Sequence, residues 1–269
     1  MLYDDRANVV AALVVLGLIL AGVLRLPAWS HEVTVLGSAL TIRITETAMM
    51  ALLLVGITCT GTDNIVRSHP TFYRAEGRYS FVTWTIPALT TLMATLLMPQ
   101  APTLTYRIVG YVLTGLILIL IVSSEYVSVD ATDPRYPAAR LLLNGWAYLL
   151  ALAIFVVVYS TKARSLISAT AVTGVATLLA LEFLRGAGQG FGRTVLYALI
   201  AGLSTGEIVW AMNYWRIGGA TGGLILLLGF YISTGVANQQ LQGRVSRRIL
   251  LEYGAVALIG LVVLLRFGP

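Results

Sequence analysis

The chain is short of charge, cysteine, lysine and histidine, and each shortage excludes a class of protein. Only 11% of its 269 residues are charged, where a soluble domain carries about a quarter. With 58% of residues apolar and a mean hydropathy of +0.84, too little polar surface remains to cover a globule in water. The solvent for most of the chain is lipid. Cys59 is the single cysteine and sits in an apolar run, which removes a disulfide framework and a cysteine-based metal site. Lys162 is the single lysine and falls in a loop, so no Schiff base of the retinal kind can form inside a bilayer. His31 and His69 fall in different loops, which excludes an intramembrane bis-histidine haem.

The net charge of +6 does not point to nucleic acid, because the basic residues occur singly or in small groups between apolar runs, as membrane topology requires. A helix needs about 20 apolar residues to cross the hydrocarbon core. Nine stretches qualify: 7–24, 46–62, 80–98, 108–127, 141–161, 165–184, 194–215, 218–238 and 249–265. The expected fold is therefore all-α, one integral-membrane domain over 1–269 with eight or nine spans. The first run imitates a signal peptide, but it is long for the apolar core of one. Asp4 and Asp5 make its leading region acidic, so it is expected to stay as a span. The third is the least apolar, with Thr83, Thr85, Thr90, Thr91 and Thr95 along it and Pro87 as an expected bend.

The connection between the first two spans differs from the others. His31–Leu36 and Ala39–Ile44 are β-rich and flank Gly37-Ser38, a hairpin signal over about 32–44. No other connection is long enough for a soluble domain, so any energy source or catalytic domain is expected from a partner or an ion gradient. With nine spans, eleven of the 18 basic residues fall on the face of the N-terminus. That bias places the N-terminus in the cytoplasm and the hairpin outside, in a cytoplasmic (inner) membrane. Thr114-Gly115 before Glu125-Tyr126 echoes Thr173-Gly174 before Glu182-Phe183, but the spacings differ and no transporter-type repeat is established.

Ionisable groups inside a bilayer are functional candidates by default. Glu125, Glu182 and Glu252 fall near span ends beside arginines, and Glu182 with Arg185 and Arg248 with Glu252 have helical pair spacing. They read as interfacial ion pairs. Glu207 is fourteenth of the 22 residues between Arg193 and Arg216, close to the expected midplane. On a helix it shares a face with Tyr197, Ser204, Ala211 and Tyr214, with Trp210 adjacent, a polar and aromatic stripe expected to face away from lipid. A carboxyl there must be neutralised or paired. It is either a proton or cation site lined by Ser204, Asn213 and Tyr214, an anchor for a ligand or partner, or a structural group satisfied by Thr170, Thr173 or Thr177 of the preceding span.

Two glycine-rich runs, 186–192 and 218–223, have no strand before them and so do not match a phosphate loop. The second has glycines four apart, at 218 and 222 and at 219 and 223, the spacing of close helix packing. Asp130 and Asp133 fail the aspartate patterns of membrane transferases, since Pro134 stands where a glycine is needed and further aspartates are missing. The segment Asp133–Pro137 reads as a turn before span five. The loop Arg67–Arg74 holds His69 between arginines and reads as an ordinary positive-inside loop. No metalloprotease helix or nucleophile elbow is present. No metal ligand set or catalytic residue is assigned, and the cofactor is left unknown.

The stretches Thr62–Pro70, Glu207–Trp215 and Leu251-Glu252-Tyr253 are similar to those of bacterial multi-spanning proteins assigned only to a domain of unknown function. That resemblance implies the membrane fold and no activity. Two functions are expected from the residues. One is a non-catalytic subunit or scaffold that touches lipid, an apolar cofactor, another membrane protein or a second copy. The other is an ion-coupled transporter centred on Glu207. A polar cavity at Glu207 would favour the transporter, and a large apolar outer face the subunit.

Overall fold

The computed structural model describes residues 3–24, 29–35, 38–72, 80–162, 165–187 and 190–267, with only the backbone described for the strands at 29–35 and 38–44. Nine α-helices lie among them: α1 Tyr3–Ala21, α2 Glu46–Arg67, α3 Thr85–Leu97, α4 Leu104–Val127, α5 Tyr136–Ser160, α6 Ser165–Leu184, α7 Phe191–Met212, α8 Gly219–Leu241 and α9 Arg247–Phe267. Seven, α2 to α8, are long and apolar enough to cross a membrane, α3 together with the 3-10 turns at its ends. The other two begin with charged turns, at Asp4, Asp5 and Arg6 in α1 and at Arg247 and Arg248 in α9.

Helix starts follow local chemistry. The Thr45 hydroxyl accepts from the Ala48 N–H at the head of α2, and Thr103 accepts from Tyr106 at the head of α4. Each satisfies one of the N–H groups that a helix start leaves without a partner. Pro87 is the third residue of α3, after a 3-10 turn at Ser80–Trp84. Its missing N–H therefore falls where no intrahelical bond is due, so it sits at a helix start rather than at the expected mid-span bend. At the end of α8, Gly243 adopts φ +66, the left-handed turn that lets the Arg244 N–H reach the Gln239 carbonyl at 2.9 Å.

The chain divides into two compact units. The first comprises residues 1–76 and 86–140, with α1, α2, most of α3 and α4. Ala11, Val14 and Leu18 of α1 meet Leu54 of α2, Ala94 of α3 and Leu118 of α4 in its core. Glycines set the spacing there: a Cβ at Gly17 would run into Leu54, and one at Gly61 would meet Val10. All five threonines of the third span are buried. Thr90 and Thr95 return hydrogen bonds to their own helix, and the Thr91 hydroxyl meets that of Thr58 on α2 at 2.9 Å. The polarity of this span thus marks an interior helix.

Between α1 and α2 the backbone of Trp29–Val35 pairs antiparallel with Ser38–Ile44, from Trp29 opposite Ile44 to Val35 opposite Ser38. That register makes residues 36 and 37 the link, one place earlier than the expected turn at Gly37-Ser38, and both lie outside the described residues.

The second unit comprises residues 77–85 and 141–269 and holds most of α5 and all of α6 to α9. Aromatic rings fill its interior: Tyr148 against Phe183 at 4.5 Å between centroids, and Phe230 near both Phe155 and Phe183. The Tyr159 hydroxyl donates to the Met212 carbonyl at 3.0 Å, tying α5 to the end of α7.

Candidate functional site

The helix that carries Glu207 has two unlike faces. Ala198, Ala201, Gly202, Thr205, Gly206 and Val209 of α7 are buried. Gly202 and Gly206 are four apart and face Thr177 and Thr173 of α6, whose hydroxyls stand where a glycine Cβ would be. This small-residue seam brings two helices together closely, the arrangement that packs helices in lipid. It is a further pair of the kind expected at 218–223, and it lies outside both glycine-rich runs. A sequence scan for single glycines four apart, rather than dense glycine runs, would have found it. The expected seam at the start of α8 is also present: Gly219, Gly222 and Gly223 lie against Ser160, Tyr159 and Val156 of α5. By contrast, Gly190 and Gly192 have open space where a Cβ would go, and residues 188 and 189 of that loop lie outside the described residues.

The opposite face of α7 is exposed. Leu196, Leu199, Ile200 and Leu203 form an apolar stripe there, followed by Glu207, then Trp210 at 51% and Tyr214 at 77% exposure. This corrects the expectation that the Glu207 stripe turns away from lipid. Thr173 and Thr177 cannot satisfy its carboxyl, because they face the glycine seam. Thr170 returns its hydroxyl to Leu166 and Ile167 of its own helix. The depth also changes. The last turn of α7 closes at Met212, and Glu207 is the seventeenth of its 22 residues. At 1.5 Å per residue that is about 8 Å beyond the helix middle, one turn before the exposed Trp210 and about two turns before the exposed Tyr214 and Trp215.

The other residues expected around Glu207 do not converge on it. Asn213 caps α7 and donates to the Ser168 hydroxyl of α6 at 2.8 Å, away from the exposed stripe. Ser204 is half-buried beside that stripe. A shared ion path lined by Ser204, Asn213 and Tyr214 is therefore not assembled in the described residues.

The carboxylates expected near span ends differ in setting. Glu182 is buried and pairs with Arg185 at 2.8 Å, and Arg248 pairs with Glu252 at 2.9 Å on an open surface. Glu125 is fully buried in the first unit, with the Ser128 hydroxyl 3.5 Å from its carboxylate. His69 is part of the same unit: its Nδ1 meets Thr71, and its ring packs on Tyr126 edge to face at 4.6 Å. The rest of its loop, Tyr73 and Arg74, lies outside the described residues.

Asp130 and Asp133 are engaged in turns. Asp130 accepts from the Thr132 N–H and hydroxyl, and Asp133 from the Arg135 N–H and guanidinium. Those bonds hold both carboxyls below the usual carboxylate range, through the Thr132 backbone N–H for Asp130 and the Arg135 side chain for Asp133. Among the described residues no three His, Cys, Asp or Glu side chains are grouped to hold a metal ion.

Fold and site together define a polytopic α-helical membrane protein with an acidic residue on an outer helix face. The chain belongs to a family described as protein of unknown function (DUF5656), whose model matches residues 26–267. No curated protein matches it, and no solved structure does either.

Proposed function

We propose that this chain is a non-catalytic membrane subunit or scaffold that binds a partner transmembrane helix along the outer face of α7, with Glu207 as the anchor. One observation carries the reading: a carboxyl-bearing side chain lies exposed within an apolar stripe of a helix long and apolar enough to cross a membrane. Holding a charge in the bilayer centre costs about 2.5–3.5 kcal/mol on insertion scales, with less towards the interface. A partner that supplies a hydrogen-bond donor or a basic group removes that cost and gains a bond in low dielectric. The face offers an acid and, at that depth, no base of its own, so complementarity favours a helix with an Arg, Lys, Asn or Gln at the matching level. The chain sits in a cytoplasmic membrane with its N-terminus inside, from its basic-residue bias. The transporter reading loses support, because Glu207 and Asn213 face different ways.

The test is gentle extraction from native membranes of the full chain and of Glu207→Leu, followed by mass analysis of what stays bound. A stoichiometric membrane protein held by the parent and lost from the variant is the expected result. A lone chain in both preparations sinks the proposal. A plain homo-oligomer held equally in both also sinks it.

A further inference from the structure

The first unit contains a cavity of about 400 Å³ at the end where α1 and α3 finish and α2 and α4 begin. Its wall is split by chemistry. Leu18, Met50 and Met98 form the apolar part, and Glu46, Arg107 and Tyr111 the polar part. Both charged groups come from first turns: Glu46 opens α2, and Arg107 is the fourth residue of α4. First turns of spanning helices lie at the level of lipid headgroups, and Leu18 and Met50 lie about a turn deeper, at 1.5 Å per residue. The exposed Tyr106 beside Arg107 marks the same level, where aromatic side chains concentrate.

Arg107 is half-buried, and the inner edge of its guanidinium lacks an acceptor. Its Nε is shielded from solvent and has no hydrogen-bond partner, and among the described residues Arg107 and Glu46 form no ion pair. A shielded N–H on a charged group without an acceptor is costly, and the positive end of α4 adds to the attraction for an anion. A phosphate at Arg107 would supply the acceptor. Glu46, on the same cavity wall, offers a carboxylate to a cation. The cavity is within the size range of small-molecule sites, and its apolar floor suits a hydrocarbon chain rather than a free polar solute.

We propose that this cavity binds an amphiphile whose headgroup joins a phosphate to a primary ammonium, with the phosphate on Arg107, the ammonium on Glu46 and the glycerol and first methylenes against Leu18, Met50 and Met98. The source is a membrane lipid of the phosphatidylethanolamine type. The site is independent of the face on α7.

The test is native mass spectrometry of the full chain in detergent with dioleoyl phosphatidylethanolamine, phosphatidylglycerol, phosphatidylcholine or free O-phosphoethanolamine added. The parent is expected to retain phosphatidylethanolamine at least fivefold better than the other two lipids and to ignore the free headgroup. Glu46→Gln should abolish that preference while leaving phosphatidylglycerol bound. Arg107→Gln should lower binding of both, with helical circular dichroism checked against the parent. Should Arg107→Gln fail to fold, Glu46→Gln alone decides the matter. Equal retention of all three lipids, an unchanged preference in Glu46→Gln, or equal binding of free O-phosphoethanolamine would each overturn the proposal.

Discussion

Replacing Gly202 by alanine adds one methyl group at the tightest point between α6 and α7. The new Cβ would run into the Thr177 hydroxyl and would stand 2.8 Å from the Thr173 carbonyl oxygen and 2.9 Å from the Thr177 nitrogen. A side chain can rotate away, but those two backbone atoms cannot. Non-bonded carbon contacts are optimal at about 3.5–4.0 Å, so the helices must part locally by about 0.6–1 Å. Overpacking of this kind costs about 1–3 kcal/mol. Alanine returns up to about 1 kcal/mol through its greater helix propensity. The net expectation is a loss of about 1–2 kcal/mol. Gly174 on α6 provides the control, because a Cβ there has open space around it. Gly174→Ala should be neutral or gain up to about 1 kcal/mol, which leaves the two variants about 1–3 kcal/mol apart. The assay is unfolding of both proteins in one detergent, followed by far-ultraviolet circular dichroism against heat or denaturant. Finding Gly202→Ala as stable as Gly174→Ala would refute the seam as a close helix contact.

Two further outcomes follow from the charged groups. Arg185→Gln should destabilise the protein far more than Arg248→Gln in the same unfolding assay. The first removes the Arg185 ion pair from buried Glu182, a change of about 3 kcal/mol or more when a buried pair is broken. The second breaks an exposed pair worth about 0–1 kcal/mol. The turn at Asp130–Arg135 should loosen in acid: both aspartates are held below their ordinary values, so their stabilisation is complete above the unfolded carboxylate range and is lost as pH falls through the lowered values. Hydrogen exchange at the Thr132 and Arg135 amides should rise only below about pH 4, the unfolded aspartate value, and Asp133→Asn should remove the Arg135 step while leaving that of Thr132. Protection at Arg135 that does not change across that range in the parent would contradict the assignment.

Span boundaries were legible in the sequence because the contrast between lipid-soluble runs and charged connections is steep. The edges of α2, α6 and α8 came within a few residues of expectation. The threonine-rich third span was also legible once its polarity was taken as a sign that neighbours must cover it, and all five threonines are buried. Helix faces were harder, and Glu207 shows why. In water, polar residues point out, and a polar stripe inside a membrane protein invites the inverse rule that it points in. Neither rule holds on α7. Lipid and protein interior are equally apolar, so hydrophobicity does not choose the buried side; closeness of approach does. Ala198, Gly202, Thr205 and Gly206 are small and face inward, whereas Leu196, Leu203, Trp210 and Tyr214 are bulky and face outward. Glu207 is carried outward with them because it lies between Leu203 and Trp210 on the helical repeat. A helix wheel ranked by side-chain size rather than polarity would have placed it on the exposed face from the start. The same ranking gives the docking proposal its physical basis, since an acid on the bulky side has, among the described residues, no close-packed neighbour in its own unit to satisfy it.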